Sequence, residues 1–499
     1  MTANTDNNDT DPIANLAAQA MAADDTDTDN QPPSRTPTVT EKQAAMIHRG
    51  QARMAYRMAT LYRDKLMHVH DVGWYYWDGK RYALDDRGAA KKAVLATIRQ
   101  ALSESVNLDD DSKKLLREDA RRCESNGAVE GVLAIAASLE PFAYTVDDLD
   151  ADPYLFNCAN ATLDLRTMNT HPHTPKDRIT KVANAAYDPK ALGPEWDKFI
   201  YRVLPNENVR NFLQRYVGLA LCGRVLEHRL AILTGIGRNG KGVFYGAVLK
   251  AMGDYATVPD PELFTHRENA HPTGQMDLMG RRFVVVSESD KDRRLSEATV
   301  KRLTGGDRIK AHYMRRDFVE FEPSHTAALV TNHLPKVSGD DPALWGRLRV
   351  IPFDVVIPEK EQDAKLPEKL ELESDAVLTW CIQGWKDYDR DGLAEPEEVT
   401  AATHAYQQDS NAIGRFLEDQ CYRGDALQVK KSDVWQRWLK WSDIEGEEKI
   451  SQKALGLALV RAGIGEARTA GARVWKGIAL KENELDDEDD EDRRYGRFQ

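Results

Sequence analysis

The sequence predicts an α/β protein: a parallel sheet carrying a phosphate-binding loop, a mixed α+β region before it and a winged-helix-like unit after it. Three observations carry that reading. Ala231 to Thr234 is a short apolar run, followed by a glycine-rich turn with the spacing G-x-x-x-x-G-K and then by a helical stretch from Val243 to Met252. Phe283 to Val286 and Ala327 to Val330 are continuously apolar rather than alternating, as strands covered on both faces are. Beyond Ser410, helical faces marked by Phe416, Val434, Trp438 and Leu455 give way to a closing strand at Arg473–Leu480.

The chain has 499 residues, enough for two to four domains. No apolar run approaches the roughly 18 residues needed to span a bilayer, and the N-terminus is polar and acidic rather than signal-like. The five cysteines, Cys123, Cys158, Cys222, Cys381 and Cys421, are scattered without a C-x-x-C pair. They read as reduced thiols of a cytoplasmic protein rather than zinc ligands. The net charge of −13 is concentrated in two tails. Residues 1–40 hold Asp6, Asp9, Asp11, Asp24, Asp25, Asp27 and Asp29 against Arg35 alone, and Glu482 to Asp492 is almost wholly acidic. The body between them is close to neutral and leaves room for a basic face toward nucleic acid.

In chain order, residues 1–40 read as an acidic disordered tail in which Ile13 to Met21 has the composition of a transient helix. Residues 41–150 form an N-terminal helical and hairpin region. A helix is expected from Glu41 to near Leu66, then an aromatic hairpin from His70 to Tyr82 around Asp78-Gly79, then helices over 87–140. The hairpin aromatics suit either a small β core or base stacking. Residues 151–224 read as an α+β domain, with strands at Leu155–Asn157 and Ala161–Leu165 and helices at Trp196–Val203 and Val209–Leu221. The central region spans 225–360, a helical lid or linker 361–408, the winged-helix-like unit 409–481 and an acidic tail 482–499. Lys430, Lys431, Arg437 and Lys440 lend that last unit basic character.

The loop is the chemically explicit part. A turn of this spacing wraps backbone N–H groups around phosphate oxygens, and the following helix start adds the positive end of its dipole. Gly235, Ile236, Gly237, Arg238, Asn239, Gly240, Lys241, Gly242 and Val243 form the expected nucleotide cradle, with Lys241 reaching the β- and γ-phosphates. The residue after the lysine is normally Ser or Thr, whose hydroxyl binds Mg²⁺; here it is Gly242. Either one more water serves the metal, or the site binds nucleotide and hydrolyses it poorly.

The strand from Arg281 ends in Glu288, Ser289 and Asp290, and carboxylates at such strand ends face the ligand crevice of open α/β sheets. Glu288 is the candidate to orient water or help hold Mg²⁺, with Asp290 a weaker one. Arg308 to Phe321 alternates like a hairpin with its tip at Met314–Asp317. Lys310, His312, Arg315 and Arg316 either touch backbone phosphates or form a solvated face. A further strand ends at Asn332, whose amide suits a γ-phosphate or water. Arg347 precedes the strand that reaches Phe353, where an arginine serves a neighbour's nucleotide or an ordinary ion pair.

This succession resembles the superfamily 3 helicases, the compact AAA+ motors of viruses, phages and plasmids. The nearer likeness is to the phage and plasmid primase-helicase group related to the poxvirus nucleoside triphosphatase. Gly235–Gly242 resembles its Walker A motif, Glu288 its Walker B acid, Lys301–Arg316 its DNA-contacting segment, Asn332 its sensor and Arg347 its arginine finger. The resemblance covers roughly residues 50–480. It implies an AAA+ P-loop ATPase core that uses ATP and Mg²⁺ and assembles as a homo-oligomer, a hexameric ring, on single-stranded or forked DNA. Two departures stand against the pattern: Gly242, and a span before the motor too short for a primase domain with its linker. A bifunctional primase-helicase and a nucleotide-dependent origin-binding or loading factor are the alternative readings. Replication proteins are the expected further partners, with no membrane.

Overall fold

The computed structural model describes residues 40–260, 272–288, 295–312, 317–337, 341–447, 450–469 and 471–482. They fall into two compact units. The acidic tails, Asp290 and hairpin-tip residues Arg315 and Arg316 lie outside the described residues.

The first unit takes in residues 40–69, 73–76 and 84–144. Helices Gly50–Tyr62, Ala89–Glu104, Asp110–Arg122 and Asn126–Ala136 enclose a core of Met54, Met58, Val94, Ile98, Leu116, Val132 and Phe142. Polar side chains set the helix starts. Thr40 and Gln43 form a reciprocal capping box at the helix Glu41–Ile47, and Asp109 and Ser125 each accept an N–H of the helix they precede. Buried Asp119 takes Arg49 at 2.8 Å and Arg53 at 2.9 Å, so its charge is matched twice. The expected helix to Leu66 is interrupted at His48–Arg49 and stops at Tyr62. Leu66–Val69 instead pairs antiparallel with Gly73–Trp77, around a turn in which Asp71 is left-handed (φ 62).

The second unit is built on a five-stranded, wholly parallel sheet: β1 (Leu230–Thr234), β2 (Ala256–Thr257), β3 (Phe283–Glu288), β4 (Thr326–Thr331) and β5 (Leu348–Pro352). Their spatial order is β5-β1-β4-β3-β2. Every residue of β4 is buried, as is all of β1 but Thr234, which is why both read as unbroken apolar runs. The registers Leu233 with Val330, Glu288 with Thr331 and Thr234 with Pro352 bring the carboxyl ends of β1, β3, β4 and β5 level.

Helices α1 (Pro194–Val203), α2 (Glu207–Leu219), α3 (Lys241–Met252) and α4 (Ser374–Asp391) cover the sheet. The α2–α4 contact is close enough that a Cβ on Gly384 would lie 2.0 Å from the Gln214 carbonyl oxygen, and one on Gly218 2.2 Å from the Trp385 nitrogen. The Tyr216 hydroxyl pins α2 to the sheet, accepting from the Ala231 N–H at 3.1 Å and donating to the Ala327 carbonyl at 2.6 Å. A small antiparallel sheet (Leu155–Asn157, Thr162–Asp164, Asn169–His171) precedes these helices. Buried Arg282 ties it in, donating to the Leu155 carbonyl at 2.7 Å.

Near the end of the second unit, helix Ala412–Gln420, strand Cys421–Lys430, helices Lys431–Ile444 and Gln452–Arg461, and strands Gly465–Arg468 and Arg473–Leu480 enclose a core of Phe416, Trp438, Trp441, Leu455 and Trp475. The strand at 421–430 is absent from the sequence reading. Two of the four basic residues named for this unit are engaged within it. Arg437 is buried and donates to Gln420 Oε1, and Lys431 sits 3.9 Å over the Trp475 ring and 2.8 Å from Glu466.

All five cysteines are free and buried. Among the described residues no helix is long and apolar enough to cross a membrane, and no group of three or more His, Cys, Asp and Glu side chains could hold a metal.

Candidate nucleotide site

The loop leaves β1 at Gly235 and enters α3 at Lys241. Two glycines make its path available. Gly235 has φ 150, and a Cβ there would lie 2.3 Å from the Phe353 carbonyl oxygen. Gly240 is left-handed (φ 83), and a Cβ there would lie 2.6 Å from Val203 of α1. Arg238 is also left-handed (φ 60), and its carbonyl is held by the Ile357 N–H at 2.9 Å. Asn239 is buried and braces the turn, donating from Nδ2 to the Phe353 carbonyl at 3.0 Å. Ile236, Gly237 and Gly242 face solvent, and Val243 packs against the core. The loop is therefore anchored on one side to the chain after β5 and open on the other.

Lys241 is the polar centre. It is 4 % exposed, and its Nζ donates to the Gly235 carbonyl at 2.6 Å and to Asn332 Oδ1 at 3.1 Å. Burial pushes its pKa down, since removal from water disfavours the charged form. Asn332 arrives on the turn after β4, where the Thr331 hydroxyl donates to the His333 carbonyl at 2.6 Å. Because β4 lies between β1 and β3, Asn332 stands between the loop and the end of β3, where Glu288 pairs in register with Thr331. Loop lysine, strand-end amide and strand-end acid thus come from three adjacent strands of one sheet edge, the usual ligand position in such sheets.

These features fit a polyphosphate. The cradle excludes side chains at Gly235 and Gly240, exposes backbone at a helix start and buries a cation. For a divalent ion the donors are fewer. A Cβ at Gly242 would meet nothing within 4 Å, so the missing hydroxyl reflects no lack of room. Mg²⁺ is commonly held by one or two carboxylates, phosphate oxygens and water, and Glu288 is an acidic position at the end of β3 on this edge.

Arg347 lies at the opposite end of β5. Its carbonyl accepts from the Leu230 N–H at 2.8 Å, and its Nη1 donates to the Ala343 carbonyl at 2.8 Å. Its Nε is buried, with no hydrogen-bond partner among the described residues. Five strand residues, about 16 Å at 3.3 Å each, separate it from the Pro352 level.

The basic ribbon pairs Ile309–Ala311 with Val319–Phe321. Arg308 at its base is occupied by acids, with Asp147 at 2.8 Å and Glu322 at 3.6 Å. Lys310 is exposed and lies 5.5 Å from the Phe318 ring, and His312 packs edge-on against the same ring at 4.7 Å. Phe318, half exposed, is the ribbon residue the sequence reading passes over; an aromatic beside alternating basic positions was the available signal.

Residues 55–205 match the family described as D5 N terminal like, and residues 233–347 match a family of unknown function, DUF5906, whose span runs from β1 to Arg347. A protein named "Putative helicase L207/L206" of Acanthamoeba polyphaga mimivirus is 23% identical over 410 residues, 74% of this chain and 43% of that protein. "Putative helicase 184R" of Invertebrate iridescent virus 6 is 23% identical over 404 residues, 72% of this chain and 41% of that protein. The chain thus spans less than half the length of these viral relatives. The solved C-terminal region of NrS-1 superposes at a TM-score of 0.37 with 11% identity, over 59% of this chain and 77% of that one, a likeness too slight to bear on the chemistry. The D5 N terminal like match and the viral relatives named putative helicase agree in likening this chain to phage and viral superfamily 3-like helicases.

Proposed function

We propose that this chain is an ATP-dependent DNA helicase with an AAA+ core, that it works as a ring, and that ATP is bound between adjacent copies. The observation carrying the proposal is the Lys241 ammonium held between Gly235 and Asn332 at the carboxyl edge of the parallel sheet. A cation buried against two neutral oxygens is poised to exchange them for phosphate oxygens, which stabilise its charge far better. Lys241 neutralises phosphate charge, the loop N–H groups and α3 hold the phosphates in place, and Asn332, released by the lysine, bonds the γ-phosphate or the attacking water. Glu288 accepts from that water and orients it. Mg²⁺, when bound, supplies positive charge on the phosphate oxygens, with Glu288 its protein ligand. Arg347 is too far along β5 to serve its own loop, which supports a role on a neighbour's nucleotide. Lys310, His312, Arg315 and Arg316 grip one DNA strand, and Phe318 offers a stacking face. The winged-helix reading of the C-terminal region is supported by its order of helix, strand, two helices and two strands.

Open, solvent-facing Gly242 favours a second reading, a nucleotide-dependent origin-binding or loading factor with little unwinding. A forked-duplex assay with ATP and Mg²⁺ separates the two. Wild type should release the labelled strand and Lys241→Ala should not; equal release by both rejects the proposal, and DNA binding without release by wild type selects the second reading.

A further inference from the structure

We infer that the groove on the first unit is a docking site for this chain's own segment Ile13–Met21. The groove encloses about 590 Å³ between the helices Glu41–Ile47, Gly50–Tyr62, Ala89–Glu104 and Asp110–Arg122. Its apolar lining includes Met46, Leu108 and Leu115, which are 67%, 42% and 39% exposed. Large apolar side chains left in water beside a concavity mark a surface that something covers. Its charged lining is Lys42, Arg53 and Arg57 against Glu104 alone. Arg57 pairs with Glu104 and Arg53 with Asp119, so Lys42 is the lining cation for which no acid partner is seen among the described residues. An occupant that complements the groove offers a short apolar face with a carboxylate near Lys42.

The sequence supplies one next to it. Ile13, Leu16, Ala17, Ala20 and Met21 recur at i, i+3, i+4, i+7 and i+8, a single helical stripe. Asp9 and Asp11 precede the stripe and Asp24 and Asp25 follow it, so acids flank it on both sides. Residues 22–39 join it to Thr40, two positions before groove residue Lys42. Eighteen residues of linker have a root-mean-square span of about 23 Å, long enough to turn back and short enough to give an effective concentration in the millimolar range. Apolar periodicity, flanking charge and tether length thus select the same occupant. The inference is independent of the nucleotide site.

Hydrogen exchange on the full chain tests it. Amides of 13–21 should exchange at least tenfold more slowly than an unstructured peptide. Leu115→Asp, at a partly exposed position, should abolish that protection while 50–62 exchanges as before. Leu16→Asp, made in the segment itself, should do the same. Unprotected 13–21 in wild type, or protection that survives both substitutions, overturns the assignment. Leu16→Cys combined with Leu115→Cys, treated with oxidised glutathione, should close a disulfide within one chain, the native cysteines being buried. A covalent dimer as the main product would give the groove to a neighbouring copy and overturn docking within the chain.

Discussion

Lys241 holds a charge where water has been removed, and that choice has measurable consequences. The absence of a hydroxyl at the next residue is the other local feature with a readable effect. Because Gly242 has open space around it, Gly242→Ser should leave stability within about 0.5 kcal/mol of wild type. If the metal lacks a ligand there, the serine should raise ATP turnover several-fold at limiting Mg²⁺; an unchanged Mg²⁺ dependence would show that water serves equally well. Away from the site, His325 is fully buried, and desolvation, only partly offset by the backbone at Leu303, pushes its pKa down to about 4. Its folded form resists protonation that the unfolded chain accepts near pH 6.5, so stability is lost as pH falls from there toward 4. Between pH 7 and 5 the loss is about 2 kcal/mol, and urea midpoints at the two pH values should differ less in His325→Leu than in wild type.

Elements carry the next level of constraint. The α2–α4 crossing depends on backbone meeting backbone, so Gly384→Ala should cost about 2 kcal/mol or more by forcing the helices apart, read as a lowered Tm. A Tm unchanged within a degree would mean that the crossing is loose. How much of this the sequence discloses depends on whether a strand or helix shows its environment in its own pattern. β1 and β4 do, because both faces of each are covered; β4 occupies Thr326–Thr331, as its apolar run predicts. Lys241 and Asn332, 91 positions apart in the chain, were each readable as strand-end chemistry, but their 3.1 Å contact depends on β4 lying beside β1, which no local pattern encodes. The strand Cys421–Lys430 was not legible: most of it is exposed on both faces, so no period-2 alternation arises, and a break in register between Arg423 and Gln428 disrupts it further. The break at His48–Arg49 was hidden likewise, since apolar residues continue on either side of it. Arg437 counted toward the basic character of its unit, and residue type alone does not tell that it is buried.

At the scale of the whole molecule, the two ends of β5 pose the central question. Lys241 and Asn332 stand at one edge of the sheet and Arg347 at the other, so under our proposal a single chain holds two halves of different sites. The proposed ring would reconcile that separation, each loop being completed by an arginine from the next copy. Lys241→Ala and Arg347→Ala should each abolish ATP turnover alone while leaving the chain folded. Mixed in equal amounts and allowed to exchange subunits, the two variants should regain activity. An intact loop then meets an intact arginine at about one interface in four, so turnover near a quarter of wild type is the predicted result for such a shared site. A mixture as inactive as its components, from variants shown to assemble together, would contradict it.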